Sequence, residues 1–244
     1  MLAVVVIGWQ AIRTFDLAPE LFVPAPGRVL ERFLVFLVEP YQGYTLPVHL
    51  AITMARVLVA FALAAVTGIP LGLAAGMWGP VHVISEPIVN FIRPLPPLAY
   101  LALLLIWLGF GEPSKIALLY LAAVPPLIIN TRAGVLNVRW ELLGAARALG
   151  ARDRQVFLHV VLPASLPFIF SGARISLAFT YTTVVAAELV ATSSGMGFVT
   201  LIASEQLRSD TIFVGIIVMG VTGMLLDAIA ARTERRFVPW IGRA

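Results

Sequence analysis

The stretch Leu50–Met77 carries a single charged residue, Arg56. A hydrocarbon core about 30 Å thick is crossed by about 20 predominantly apolar residues in a helix. Leu50–Met77 is long enough, and further apolar runs lie near Leu2–Ile12, Ile88–Leu108, Ile116–Asn130, Leu166–Ala187 and Ile212–Ala231. Hydrophobic residues make up 60% and charged ones 12% of the chain, against roughly 45–50% and about 25% in soluble domains. The surplus apolar surface needs a lipid bilayer as solvent. The expectation is an all-α membrane protein with about six transmembrane helices, built as one domain over 1–244.

The remaining segments set the topology. Thr14–His49 holds Pro19, Pro24, Pro26, Pro40 and Pro47 among mixed charges, and reads as an extracytoplasmic loop (about 14–49) with one short helix near Arg28–Val38. Met1 leads into an apolar run with no basic n-region or small-residue cleavage site, so this run reads as a retained, short first span. The second long polar segment is Thr131–His159. No repeat, heptad pattern or low-complexity tail is present. Arg132, Arg139, Arg147, Arg152 and Arg154 precede span five, and Arg232, Arg235, Arg236 and Arg243 follow span six. The opposite segments hold Arg13, Arg28, Arg32, Lys115 and Arg208 among Asp16, Glu20, Glu31, Glu39, Glu112, Glu205 and Asp210. The positive-inside rule counts only the basic residues and puts Thr131–His159 and both chain ends in the cytoplasm.

The net charge of +4 is explained by these inter-span arginines, which form no stripe for nucleic acid. The chain has no cysteine, which excludes a disulfide framework, a thiolate metal site and a cysteine nucleophile. His49, His82 and His159 stand apart in sequence and suggest structural or interfacial roles rather than a metal site. Lys115 is the only lysine, and it lacks the Gly-Lys-Ser/Thr setting of a phosphate-binding loop. No catalysis, metal or cofactor is expected on this chain.

One cytoplasmic segment, about 137–163, carries most of the functional information. Leu142, Ala145, Ala146 and Leu149 fall at i, i+3, i+4 and i+7, a narrow apolar stripe on a short helix. Asn137 is positioned to cap that helix and Gly150 to end it in a left-handed turn. A second short helix, about Arg152–Val161, would lead back into the membrane. Periodicity alone leaves two roles open: a docking knob, or an amphipathic helix lying in the headgroups.

Ala145-Ala146, Gly150, Val160 and Leu162-Pro163 resemble, at every interval, the EAA-x3-G-x9-I-x-LP pattern of bacterial ATP-binding-cassette importer permeases. The likeness runs from about Phe22 to the C-terminus through Arg93-Pro94-Leu95-Pro96-Pro97, Ile106–Glu112, Ala186-Ala187-Glu188-Leu189, Gly195-Met196-Gly197, Glu234-Arg235-Arg236 and Pro239-Trp240. These segments are similar to the taurine, alkanesulfonate and nitrate branch, with taurine permeases the best match. One position departs from the pattern: Gly144 stands where the family's glutamate is usual, and the nearest carboxylate is Glu141.

The resemblance implies a type I importer permease that carries a small anion. Glu141, Leu142, Gly144, Ala145, Ala146, Arg147, Leu149, Gly150, Leu162 and Pro163 would couple it to an ATP-binding subunit. It further implies two ATPase copies holding ATP and Mg, an extracytoplasmic solute-binding protein and a second permease copy; a homodimer is the simplest arrangement. An ion-gradient-driven secondary transporter or channel is the alternative, but no internal repeat or acidic relay supports it, nor does any His/Asp/Glu constellation support a membrane enzyme.

Charges within spans face a bundle interior or water. Arg56, Arg93 and Arg174 are placed either to attract an anion or to pair near span ends, while Asp227 is expected to pair with a nearby arginine. Thr180 and Thr183 belong to the mid-span run Thr180–Thr183, at least two of whose hydroxyls should bond their own helix. With Arg93, Arg174 and Glu188 they are the candidate translocation-pathway residues. Arg93–Pro97 cannot be fully helical and needs shielding by protein or a cavity.

Overall fold

The computed structural model describes residues 2–15, 17, 19–190 and 192–239. Of the residues used above, Met1, Asp16, Trp240 and Arg243 lie outside this set. The described residues form helices and no strand: α1 (Leu2–Thr14), α2 (Pro26–Val38), α3 (Leu46–Met77), α4 (Gly79–Ile92), α5 (Pro97–Leu108), α6 (Glu112–Leu136), α7 (Trp140–Ala148), α8 (Asp153–Val156), a π-helical turn (Phe157–Val161), α9 (Leu162–Glu188), α10 (Met196–Glu205) and α11 (Ser209–Phe237). An isolated antiparallel bridge joins Tyr41 to Tyr44. Gln42 and Gly43 between them both have positive φ, as a two-residue turn of primed type requires.

Among the described residues, four helical runs are long and apolar enough to cross a membrane: α3, α6, Asp153–Glu188 and α11. The expected single span Ile88–Leu108 is instead two helices, α4 and α5, bent by 103°. Pro94, Pro96 and Pro97 supply no amide donors, so α4 cannot continue, whereas Pro97 opens α5 where a missing N–H is tolerated. Counting the bent pair once gives five candidate spans. The 13-residue α1, at 1.5 Å per residue, falls short of the full hydrocarbon thickness.

Helix limits also move. The fourth span reaches Leu136 and takes in Thr131 and Arg132, and the expected separate helix Arg152–Val161 is the start of the continuous run Asp153–Glu188. Asn137 does not cap α7. It ends α6, its Nδ2 donating to Ala133 O at 2.8 Å, and Arg139 occupies the cap position of α7.

The chain divides into two compact units, one of Met1–Arg56 and Val184–Met224, the other of Val57–Thr183 and Leu225–Ala244. In the first, Phe36, Leu46, Met196, Val199 and Val214 form a buried apolar cluster. Tyr41 packs edge-on against Phe36, and the guanidiniums of Arg32 and Arg208 lie over its ring, 5.2 and 5.5 Å from the ring centre. Burial, with Arg208 alongside, lowers the Arg32 pKa from its ordinary value, and burial raises that of Tyr41.

In the second unit, Gly68, Gly72 and Gly76 recur every fourth residue on α3 and meet Leu127, Thr131 and Val135 of α6. Small residues at this spacing let helices approach where lipid removes the hydrophobic drive to associate. Ser176 Oγ adds a buried bond to Ala123 O at 2.7 Å. A Cβ at position 72 would sit 2.6 Å from Thr131 Cβ and 2.8 Å from Ile128 O, whereas one at Gly220 would meet nothing within 4 Å. Gly72→Ala is therefore expected to destabilise the protein by about 1–3 kcal/mol and to lower its thermal midpoint in detergent, while Gly220→Ala leaves the midpoint unchanged or raises it.

Candidate functional site

α7 stands out because it buries none of its residues. Trp140, Leu142 and Leu149 are 77, 47 and 89% exposed, and Gly144 and Ala145 are exposed beside them. Gly150, at φ +81°, closes the helix. Its N–H bonds to Arg147 O at 2.9 Å and that of Ala151 to Ala146 O at 3.1 Å, the paired bonds of a Schellman ending. Glu141 lies 3.6 Å from Arg139, and Arg147 lies 3.8 Å from Asp153. Leu143, Arg147, Val156 and Phe157 border a cavity of about 850 Å³ reaching Leu73 and Met77 of α3. Leu162 and Pro163 follow the π turn, where Leu162 N–H reaches back to Phe157 O.

The second feature is a buried polar centre in the first unit. His49, Thr53 and Arg56 share one face of α3 at i, i+4 and i+7. Arg56 Nη1 lies 2.7 Å from Glu188 Oε1 at the end of α9, with the two side chains 3 and 0% exposed. Thr53 Oγ1 donates to Glu188, 2.9 Å from Oε1 and 3.1 Å from Oε2. The carboxylate also receives the Gly197 N–H at 2.8 Å, and Thr53 Oγ1 receives that of Met196 at 2.9 Å. Two otherwise orphaned amides of α10 are thereby satisfied from other helices. Arg56 Nη1 further binds Ser194 O at 2.9 Å. The Gly195 N–H donates to His49 Nδ1 at 3.1 Å, which makes Nε2 the protonated nitrogen, and Nε2 donates to Tyr41 O at 2.9 Å. Gly195 has φ +111°, and a Cβ there would strike the Glu188 carboxylate.

The pathway candidates occupy separate settings. Arg174 Nη2 pairs with Asp227 at 2.9 Å and its Nη1 with Glu234 at 3.3 Å, so the partner expected for Asp227 comes from α9. Thr180 Oγ1 bonds Ser176 O of its own helix, as Thr182 does with Ala178 and Phe179. Thr183 is buried. Arg93 is exposed at the end of α4. Thr53 carries no expectation from sequence and His49 only a structural or interfacial one, although their spacing to Arg56 marks a polar stripe on one helix face. The Gly68, Gly72 and Gly76 series was equally available. Among the described residues no group of three or more His, Cys, Asp or Glu is placed to hold a metal ion.

This architecture is that of a multi-pass helical membrane protein. A chain of the MetNI methionine ABC transporter in an inward-facing conformation superposes with a TM-score of 0.63 at 20% identity, covering 76% of this chain and 92% of that one. An amino acid ABC transporter chain gives 0.63 at 17%, covering 79 and 92%. Residues 68–239 match the family described as binding-protein-dependent transport system inner membrane component, and the chain belongs to that family. It is 41% identical to the taurine transport system permease protein TauC of Escherichia coli K12, covering 99% of this chain and 88% of the relative. It is 33% identical to the putative aliphatic sulfonates transport permease protein SsuC of Bacillus subtilis (98 and 85%) and 32% to the nitrate import permease protein NrtB of Synechocystis (98 and 87%). These relatives set it in the taurine, sulfonate and nitrate branch of the inner-membrane ABC importer permeases.

Removing the Glu188 carboxylate would strand a buried guanidinium. Glu188→Ala is expected to cost about 3–5 kcal/mol and to speed hydrogen exchange at residues 192–197. Adding Arg56→Met to that variant should restore part of the loss, as a double-mutant thermal-unfolding cycle would show.

Proposed function

We infer that this chain forms the translocation pathway of an ATP-driven importer for a small anion, taurine, another sulfonate or nitrate, and couples to a separate ATPase through Trp140–Gly150. The single observation that carries the coupling is the exposure of α7. A short helix with no buried residue, fixed by a Schellman turn and presenting Trp140, Leu142 and Leu149, offers an apolar surface that needs a partner. Gly144, Ala145 and Ala146 allow that partner close approach. Glu141 and Arg147 flank the surface with charges, and Leu162-Pro163 joins it to the span.

The substrate class rests on the relatives named for taurine, aliphatic sulfonates and nitrate, all of which bear an anionic group. Two copies of the ATPase would hold ATP and Mg, a second copy of this chain would complete the pathway, and an extracytoplasmic binding protein would deliver the solute. α7 and the C-terminal end of α11 face the cytoplasm. Closure of the ATPases moves the paired knobs as rigid bodies and switches the spans between inward-facing and outward-facing states. Arg93 draws the anion. Arg174, Thr180, Thr183 and Glu188 serve the pathway by holding its helices in place, and most of the selectivity lies with the binding protein.

Ala145→Arg should abolish copurification of the ATPase while leaving the amount inserted in the membrane unchanged; full copurification with normal transport would contradict the docking assignment. Cysteines substituted singly for Arg152 and for Glu205 in this cysteine-free chain should react with an impermeant reagent from opposite faces of oriented vesicles. Labelling of both from one face would overturn the orientation.

A further inference from the structure

We propose that α4 and α6 build a subsite for the oxyanion group of the transported solute, between His82 and Arg93 on one helix and Arg132 on the other. A cavity of about 190 Å³ is lined there by His82, Ser85, Glu86, Asn90, Arg93 and Arg132. Two guanidiniums face one carboxylate, that of Glu86, whose side chain is 51% exposed. Arg93 makes no side-chain hydrogen bond or ion pair among the described residues. The Nε of Arg132 is buried and has no acceptor. The Nε is held away from the cavity, so an anion there would be met by the outer N–H groups of Arg132 and by the exposed Arg93.

The bonding of His82 keeps Arg132 available. Arg132 Nη2 lies 2.9 Å from His82 Nε2 and Glu86 Oε2 lies 3.2 Å from the same nitrogen. Arginine cannot accept, so Nε2 presents its lone pair while Arg132 holds it, and in that state no proton is left for Glu86. Arg132 is thus oriented by a neutral acceptor, and its charge is not cancelled by a direct ion pair. Ser85 Oγ donates to His82 O at 3.3 Å and Asn90 adds an amide to the wall.

The cavity of about 190 Å³ has room for an anion of several heavy atoms. The cavity runs along α4 to the Arg93–Pro97 break, and interrupted helices bordering a cavity are how transporters bring polar groups to a substrate. The assignment deepens the anion-importer reading and rests on it.

Asn90→Cys supplies a lone thiol in a cysteine-free chain. With the full permease and ATPase complex in phosphatidylcholine vesicles, a sulfonate-bearing thiosulfonate reagent should label it about 5-fold faster than a trimethylammonium-bearing one, because a cleft of one charge concentrates the opposite ion. Taurine or nitrate at millimolar concentration should slow the labelling. Arg132→Gln should abolish the preference and Arg132→Lys should retain it, with Arg93→Gln weakening it. Equal rates for the two reagents, or a preference that survives Arg132→Gln, would overturn the proposal. So would protection by added phosphatidylglycerol without protection by taurine or nitrate, which would mark a lipid site. Labelling needs no ATP and reports on the pocket independently of pumping: charge selectivity with protection supports the subsite even where uptake fails, and their absence overturns it even where uptake proceeds.

Discussion

A peptide group inside hydrocarbon has no water to bond, so each span must satisfy its own backbone or be covered by protein. Much of the fold follows from this. The long helices bond internally, and Thr180 and Thr182 return their hydroxyls to their own carbonyls. Helices α3 and α6 associate through backbone proximity at Gly68, Gly72 and Gly76, since burying apolar side chains yields little when the solvent is itself apolar. The proline-rich break between α4 and α5 is the exception that a cavity accompanies.

The same constraint governs the charges. Glu188 and Arg56 are tolerated at almost complete burial because every strong contact is reciprocated: the carboxylate by Arg56, Thr53 and the Gly197 amide, the guanidinium also by Ser194. A buried ion pair of this kind is weak support for stability but fixes geometry. Here it ties the end of α9, the start of α10 and the first turns of α3 into one arrangement. In the other unit, α7 shows the opposite economy. Its apolar residues Trp140, Leu142 and Leu149 are left exposed on a helix closed by the Gly150 turn and joined through Arg147 and Asp153 to the continuous run into α9. The proposed docking of an ATPase would use this surface.

Much of this was legible in the sequence because hydrophobic length and glycine placement report directly on local physics. Gly150 ends α7 in the expected left-handed turn, and Pro26–Val38 forms the expected loop helix. The Arg93–Pro97 break is visible as a backbone that cannot stay helical, yet Ile88–Leu108 reads as one span because apolar composition alone does not reveal a 103° bend. An asparagine serves either helix end, so Asn137 reads from sequence as the cap of α7 although it ends α6, and the extra turns of α6 are hidden by polar residues that pack inside. The Arg56–Glu188 pair was beyond reach. Its members are far apart in sequence, and only the His49, Thr53 and Arg56 spacing hinted that one face of α3 was polar.

The central claim is that this chain carries an anion by using ATP hydrolysed on another subunit. Its most direct test is accumulation of labelled taurine, an alkanesulfonate and nitrate in proteoliposomes holding the permease, its ATPase and its binding protein. Accumulation of at least one of these anions that requires both ATP and the binding protein, and stops with a non-hydrolysable analogue, is the predicted result. Accumulation driven by a proton or sodium gradient in the absence of ATP would contradict it.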